Sequence, residues 1–123
     1  MSKPGKSGIA RVIDAFGYSM KGFVAVWKYE AAFRQEVGLA IILIPTAFWL
    51  AQTHTELILL IASVFWVLMA ELVNSSVEAV VDRTGPERHE LSGRAKDIGS
   101  ALVFVSLLLL VVVWGIVAFN RFG

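Results

Sequence analysis

Five polar residues, Glu71, Asn74, Ser75, Glu78 and Asp82, follow directly on the apolar run Leu57 to Ala70. At about 100° per residue their offsets place all five on one helix face roughly 100° wide. Carboxylates within a lipid-spanning segment are costly, so they point to a functional site before they point to a packing seam. Depth then separates their roles. Glu71 lies seven residues, roughly 10 Å along a helix axis, deeper than Glu78. A desolvated carboxylate is the better proton acceptor for a hydroxyl, which suits Glu71 to a general-base role. Shallow carboxylates with access to water, such as Glu78, Asp82 and the earlier Glu30, suit Mg²⁺, a hard cation that keeps several waters and is shared with substrate phosphates.

Cations nearby fit an anionic co-substrate. Arg11, Lys21, Arg88, Arg94 and Lys96 could neutralise phosphoryl oxygens, although each alone also fits anionic headgroups or membrane topology. Lys96 stands out because it adjoins Asp97 at the mouth of an apolar segment. Asp82, at the turn, is expected to pair with Arg83 or Arg88 rather than to do chemistry, and Ser75 to pack between helices. The usual nucleotide signatures are missing. Gly5-Lys6-Ser7 resembles only the tail of a P-loop, with neither the earlier glycine nor a preceding strand, and no GxGxxG is present. His54 and His89 lack partners at metal-ligand spacing, and the absence of cysteine excludes disulfides, thiolate metal sites and a cysteine nucleophile.

The elements that must position these groups follow from hydropathy. The chain has 123 residues, 57% of them hydrophobic, and a positive mean hydropathy, the profile of a small integral membrane protein of one domain. Three apolar stretches stand out: Val37 to Ala51, Leu57 to Val81 and Ile98 to Phe119. The last is long enough to cross a hydrocarbon core of about 30 Å. The first becomes long enough if its helix begins near Glu30, with Arg34, Gln35 and Glu36 at headgroup level, and Pro45 within it is tolerated as a kink. Spans are thus expected over 30–51, 57–82 and, with a preceding turn, 86–120. Trp49, Trp66, Trp114 and Phe119 read as lipid-facing or interfacial side chains.

Before the first span, Ile9, Val12, Ile13, Phe16, Met20, Phe23, Val24 and Trp27 recur at helical spacing, which predicts an amphipathic surface helix over 7–29, weakened by Gly17 and Gly22. Of the eleven Lys and Arg, six precede the first apolar stretch, none lies in Gln52 to Glu56, four lie between the second and third stretches, and one follows. The positive-inside rule puts the N-terminus and the second loop in the cytoplasm and the C-terminus outside. No cleavable signal peptide is expected. Asp82-Arg83-Thr84-Gly85-Pro86 predicts a tight turn, with Gly ending one helix and Pro starting the next. Such a hairpin would bring Arg94, Lys96, Asp97 and Ser100 level with Glu78 and Asp82. The expected fold is therefore all-α: a surface helix and three transmembrane helices, N-in/C-out.

These residues also resemble a known family. Gly17-Tyr18-Ser19, Lys21-Gly22, Glu30-Ala31-Ala32-Phe33-Arg34-Gln35-Glu36, Glu71-x-x-Asn74-Ser75-x-x-Glu78-Ala79-Val80-Val81-Asp82-Arg83, and His89 to Asp97 followed by Gly99-Ser100-Ala101, are similar to the motifs of the prokaryotic diacylglycerol kinases. The resemblance spans nearly the whole chain. It implies a homotrimeric kinase of the bacterial inner membrane that transfers the ATP γ-phosphate to the primary hydroxyl of diacylglycerol. It further implies Glu71 as catalytic base, Glu30 and Glu78 as Mg²⁺ carboxylates, and Asn74, Lys96 and Asp97 around the transferring phosphoryl group. Arg11, Tyr18, Glu87, Arg88 and His89 correspond to nucleotide contacts; Arg11, Ala32, Phe33, Arg34, Gln35, Glu36 and Ser100 would line the lipid site. Met20 and Phe16 depart from the best-known relatives. Undecaprenol is the alternative acceptor, although the Glu30 to Glu36 run looks more like the diacylglycerol branch.

A physical argument also favours oligomers, since three helices can hardly shield Glu71, Asn74 and Glu78 from lipid while lining a two-substrate site. A proton-coupled transporter is the rival from another class. It would need polar groups continuing into the outer halves of the first and third spans, and they have none. No nucleic-acid partner is expected.

Overall fold

A computed structural model of the chain describes residues 7–84 and 90–123, all helix apart from caps and short joints. Four helices follow in order: α1 (Gly8–Tyr29), α2 (Ala31–Leu50), α3 (His54–Arg83) and α4 (Glu90–Phe122). The chain divides into two compact units, residues 1–31 and 32–123.

In the first unit, Ser7 caps α1 by accepting from the Ala10 backbone N–H, which satisfies one of the donors that a helix start leaves open. The helix runs unbroken through Gly17 and Gly22. Glu30 ends it with an extended backbone, φ −118° and ψ 103°. Ile9, Val12, Ile13, Phe16, Phe23, Val24 and Trp27 all lie exposed. Lys21 stands 5.6 Å from the Tyr18 ring and Lys28 5.3 Å from that of Tyr29, cation–π placements on the helix surface.

The second unit holds three helices, α2, α3 and α4, each long and apolar enough to cross a membrane. Pro45 lacks the N–H that would bond four residues back, yet α2 continues through it to Leu50. The joint to α3 is defined by a reciprocal cap. Thr53 Oγ1 accepts from the Glu56 N–H at 3.1 Å, and Glu56 Oε1 accepts from the Gln52 N–H at 2.8 Å. This Thr-x-x-Glu pairing starts the helix at His54, three residues ahead of the apolar run that begins at Leu57.

The α3 and α4 helices pack as an antiparallel hairpin. The buried residues of α3, Leu60, Ser63, Val64, Val67, Ala70 and Glu71, recur at helical spacing along one stripe. Those of α4 are Gly99, Ser106 and Val117, two of them small, which lets the backbones approach closely. At the hairpin's open end Ala47, Leu50, Leu60 and Val117 form an apolar core joined by Leu57, Ile61, Val113, Trp114 and Ala118. The Trp114 indole lies partly buried there. Its Nε1 donates to Ser63 Oγ at 3.1 Å and to the Leu60 carbonyl at 3.3 Å. Trp114 is therefore an interhelical tie rather than a lipid-facing ring, because its N–H finds a polar partner that hydrocarbon cannot supply. Trp49, Trp66 and Phe119 are exposed as expected, and Arg121 covers the Trp49 ring at 5.0 Å.

Candidate active site

The polar face seen in the sequence is the continuation of the α3 core stripe. After Ala70 and Glu71, both nearly covered, Asn74, Ser75 and Glu78 follow on the same face at intermediate exposure. A helix cannot end its buried stripe abruptly, so the residues that succeed the core in sequence are held against the same neighbours. Glu71 is only 6% exposed. The Glu36 carboxyl, from α2, lies beside that of Glu71.

One turn on, Asn74 Nδ2 donates to Glu78 Oε1 at 3.0 Å. The other end of that amide, Oδ1, is buried without a hydrogen-bond partner, as are Ser75 Oγ and Glu36 Oε2. Asn74 Oδ1 lies against Gly99 of α4, where an added Cβ would overlap it. Lys96, one turn before Gly99, forms an ion pair with Asp82 at 2.7 Å across the hairpin. Lys96 precedes the apolar run of α4.

The hairpin thus brings Lys96 and Asp82 together, and Asn74, Glu78 and Gly99 just beyond them. Asp82 takes Lys96 as its partner, where a local arginine had been expected; the antiparallel register, invisible in sequence spacing, sets that choice. Glu36 differs too. The sequence placed it at headgroup level with Arg34 and Gln35, which are exposed, but its carboxyl turns inward to Glu71 because it shares the α2 side of Phe33 and Ala40, which are buried. Ala32 is exposed and Phe33 buried; Asp97 and Ser100 are both exposed, flanking buried Gly99 along α4. In the first unit Arg11 and Tyr18 are exposed and seven residues apart, hence on one face of α1, and Glu30 is half-buried at the joint. Glu87, Arg88 and His89 lie outside the described residues.

No group of three or more His, Asp or Glu that could hold a metal ion converges among the described residues. Mg²⁺ does not require one, since it is commonly bound through one or two carboxylates plus substrate phosphates and water. Glu78 fits that donor chemistry: it is half-buried, with one carboxylate oxygen steadied by Asn74.

Comparison with known proteins is consistent throughout. Residues 17–118 match the family model described as prokaryotic diacylglycerol kinase. A diacylglycerol kinase of Haemophilus influenzae is 52% identical, with 92% of this chain and 96% of the relative covered. The diacylglycerol kinase of Escherichia coli K12 is 50% identical over 95% of this chain and 96% of its own length. That of Pseudomonas aeruginosa is 49% identical over 89% of each.

Proposed function

The chain belongs to the prokaryotic diacylglycerol kinase family, and from that premise we propose that it transfers the γ-phosphoryl group of ATP to the primary hydroxyl of 1,2-diacylglycerol, yielding phosphatidic acid and ADP. The single observation that carries the residue roles is the continuity of the α3 stripe. It delivers a covered Glu71, then Asn74 bonded to Glu78, opposite Lys96.

In this reading Glu71, with Glu36 beside it, accepts the proton of the lipid hydroxyl as its oxygen attacks phosphorus. A general base must lie within reach of that proton, and a covered carboxylate below the shallower Glu78 is placed to meet a hydroxyl that enters from the lipid side. Lys96 offsets negative charge on the transferring group, and Asp97 shapes the same centre. Asn74 holds Glu78. Glu78 and Glu30 are the carboxylates assigned to Mg²⁺, whose chemistry when bound is neutralisation of phosphate charge. Arg11 and Tyr18, sharing one face of α1, are assigned to the nucleotide with Glu87, Arg88 and His89. Arg11, Ala32 to Glu36 and Ser100 are assigned to the lipid.

The membrane arrangement belongs to the same proposal. The exposed apolar side chains of α1 suit a helix lying in the cytoplasmic interface. The distribution of Lys and Arg supports a cytoplasmic N-terminus and a cytoplasmic segment between α3 and α4, in what is proposed to be the bacterial inner membrane. The partial exposure of Asn74 and Glu78 suits a homotrimer in which neighbouring copies shield and complete the site.

The test is purified protein in phospholipid vesicles with γ-labelled ATP, offered diacylglycerol and undecaprenol in parallel. Label in phosphatidic acid is expected. Label confined to undecaprenyl phosphate would overturn the acceptor, and proton flux without any transfer of label would overturn the kinase reading.

A further inference from the structure

The geometry points to Gly99 as a positioning residue for phosphoryl transfer: the missing side chain on α4 sets the orientation of the Asn74 amide and, through it, of the Glu78 carboxylate. This rests on the reading of Asn74 and Glu78 as members of the active site.

Glycine in the interior of a long helix is less favourable than alanine, so a buried one needs a reason. α4 contains Gly93, Gly99 and Gly115. A Cβ on Gly93 or Gly115 would have nothing within 4 Å, whereas on Gly99 it would overlap Asn74 Oδ1. Gly99 is also the buried one of the three. What it meets is unusual in kind. The nearest atom is the tip of a side chain, and the Asn74 Cγ and Cα lie further off, at 3.4 and 3.8 Å.

An added methyl group can therefore be accommodated by turning the Asn74 amide, with little demand on the helix backbones. Turning the amide is what the site cannot absorb. Its Nδ2 holds Glu78 Oε1 at 3.0 Å, and its Oδ1 already sits buried without a partner. The seat beside Gly99 is thus what aims Nδ2 at the carboxylate. A substitution here should leave the hairpin folded and misdirect one carboxylate, the signature of positioning rather than of packing.

The experiment compares Gly99→Ala, Asn74→Ala and the double variant in the full-length protein in phospholipid vesicles, with Gly115→Ala as control. Gly99→Ala is expected to lower kcat by about 10²-fold, the scale of an angstrom-sized misplacement, and to raise the half-saturating Mg²⁺ concentration by about tenfold or more. A readout independent of turnover is the Asn74 side-chain amide resonance in ¹⁵N-asparagine-labelled protein. The chain has two asparagines, Asn74 and Asn120, so the signal is simple to assign; it should shift in Gly99→Ala and stay in place in Gly115→Ala. The double variant should be no worse than Asn74→Ala, because the group that Cβ displaces is gone. An unshifted Asn74 resonance with wild-type kcat in Gly99→Ala would overturn the inference, as would losses that multiply in the double variant. If Gly99→Ala fails to assemble, rescue by Asn74→Ala supports the inference and failure of both reassigns Gly99 to helix packing. Wild-type turnover in Asn74→Ala would overturn the underlying site reading, while the resonance in Gly99→Ala still decides whether Gly99 aims the amide.

Discussion

Replacing Lys96 by Met removes an ammonium group while keeping the length and apolar stem of the side chain, and its two consequences differ in size. The first is loss of the ion pair with Asp82. The contact is short, 2.7 Å, but the Lys96 and Asp82 side chains are 43% and 65% exposed, so side-chain ordering and salt screening leave the pair little net worth in stability. Thermal unfolding and oligomer size should therefore barely move. The second is loss of charge compensation at the transferring phosphoryl group, where removal of a single preorganised donor is worth about 10²–10³ in kcat, or roughly 2.7–4 kcal/mol. The assay is initial-rate transfer of label from ATP to diacylglycerol in vesicles, with Asp82→Asn measured alongside. Lys96→Met should lose at least about 10²-fold in kcat at nearly unchanged stability. Asp82→Asn, which breaks the same ion pair but keeps the ammonium, should lose less than about tenfold. Equal losses in the two variants would show that Lys96 acts only through its ion pair, refuting the assignment to phosphoryl transfer.

Other substitutions separate the remaining roles. Glu71→Gln keeps shape and burial but removes the proton acceptor, so kcat should fall by about 10²–10⁴ with the oligomer intact; near-wild-type turnover would remove Glu71 from the base role. Glu78→Ala should lower activity and raise the Mg²⁺ concentration needed, with activity partly restored by excess Mg²⁺, and Mn²⁺ binding followed by paramagnetic relaxation gives the same answer without turnover; an unchanged metal dependence would count against the carboxylate. Trp114→Phe removes the indole tie between α3 and α4 and Ser63→Ala the serine half of it; each should destabilise the hairpin by about 0.6–1.7 kcal/mol in the membrane, the two effects overlapping in the double variant. Additive losses there would mean that the bond at 3.1 Å is not what couples them.

Much of the candidate site was legible because it lies on one helix. Glu71, Asn74, Ser75 and Glu78 share a face by spacing alone, and no tertiary information is needed to see that apolar residues precede them or that Glu71 is deeper than Glu78. The cap at Thr53 and Glu56 was visible in principle as a Thr-x-x-Glu pattern, but hydropathy alone places the helix start at Leu57. Trp114 was misread as lipid-facing because composition says nothing about which side of a uniformly apolar helix meets a neighbour. In α4 nearly every face is hydrophobic, and the acceptors opposite, Ser63 Oγ and the Leu60 carbonyl, mark where the indole turns.

The sequence by itself determined the helices, their apolar lengths, the family and the polar stripe, since each is a property of local periodicity or of motifs read along one segment. The tertiary structure alone decided the pairings between segments: Asp82 with Lys96, Glu36 with Glu71, Trp114 with Ser63, and Asn74 seated against Gly99. These depend on the register and closeness of packed helices. A glycine's contribution is the extreme case, because what Gly99 does is set by a side chain it lacks and by a neighbour twenty-five positions away.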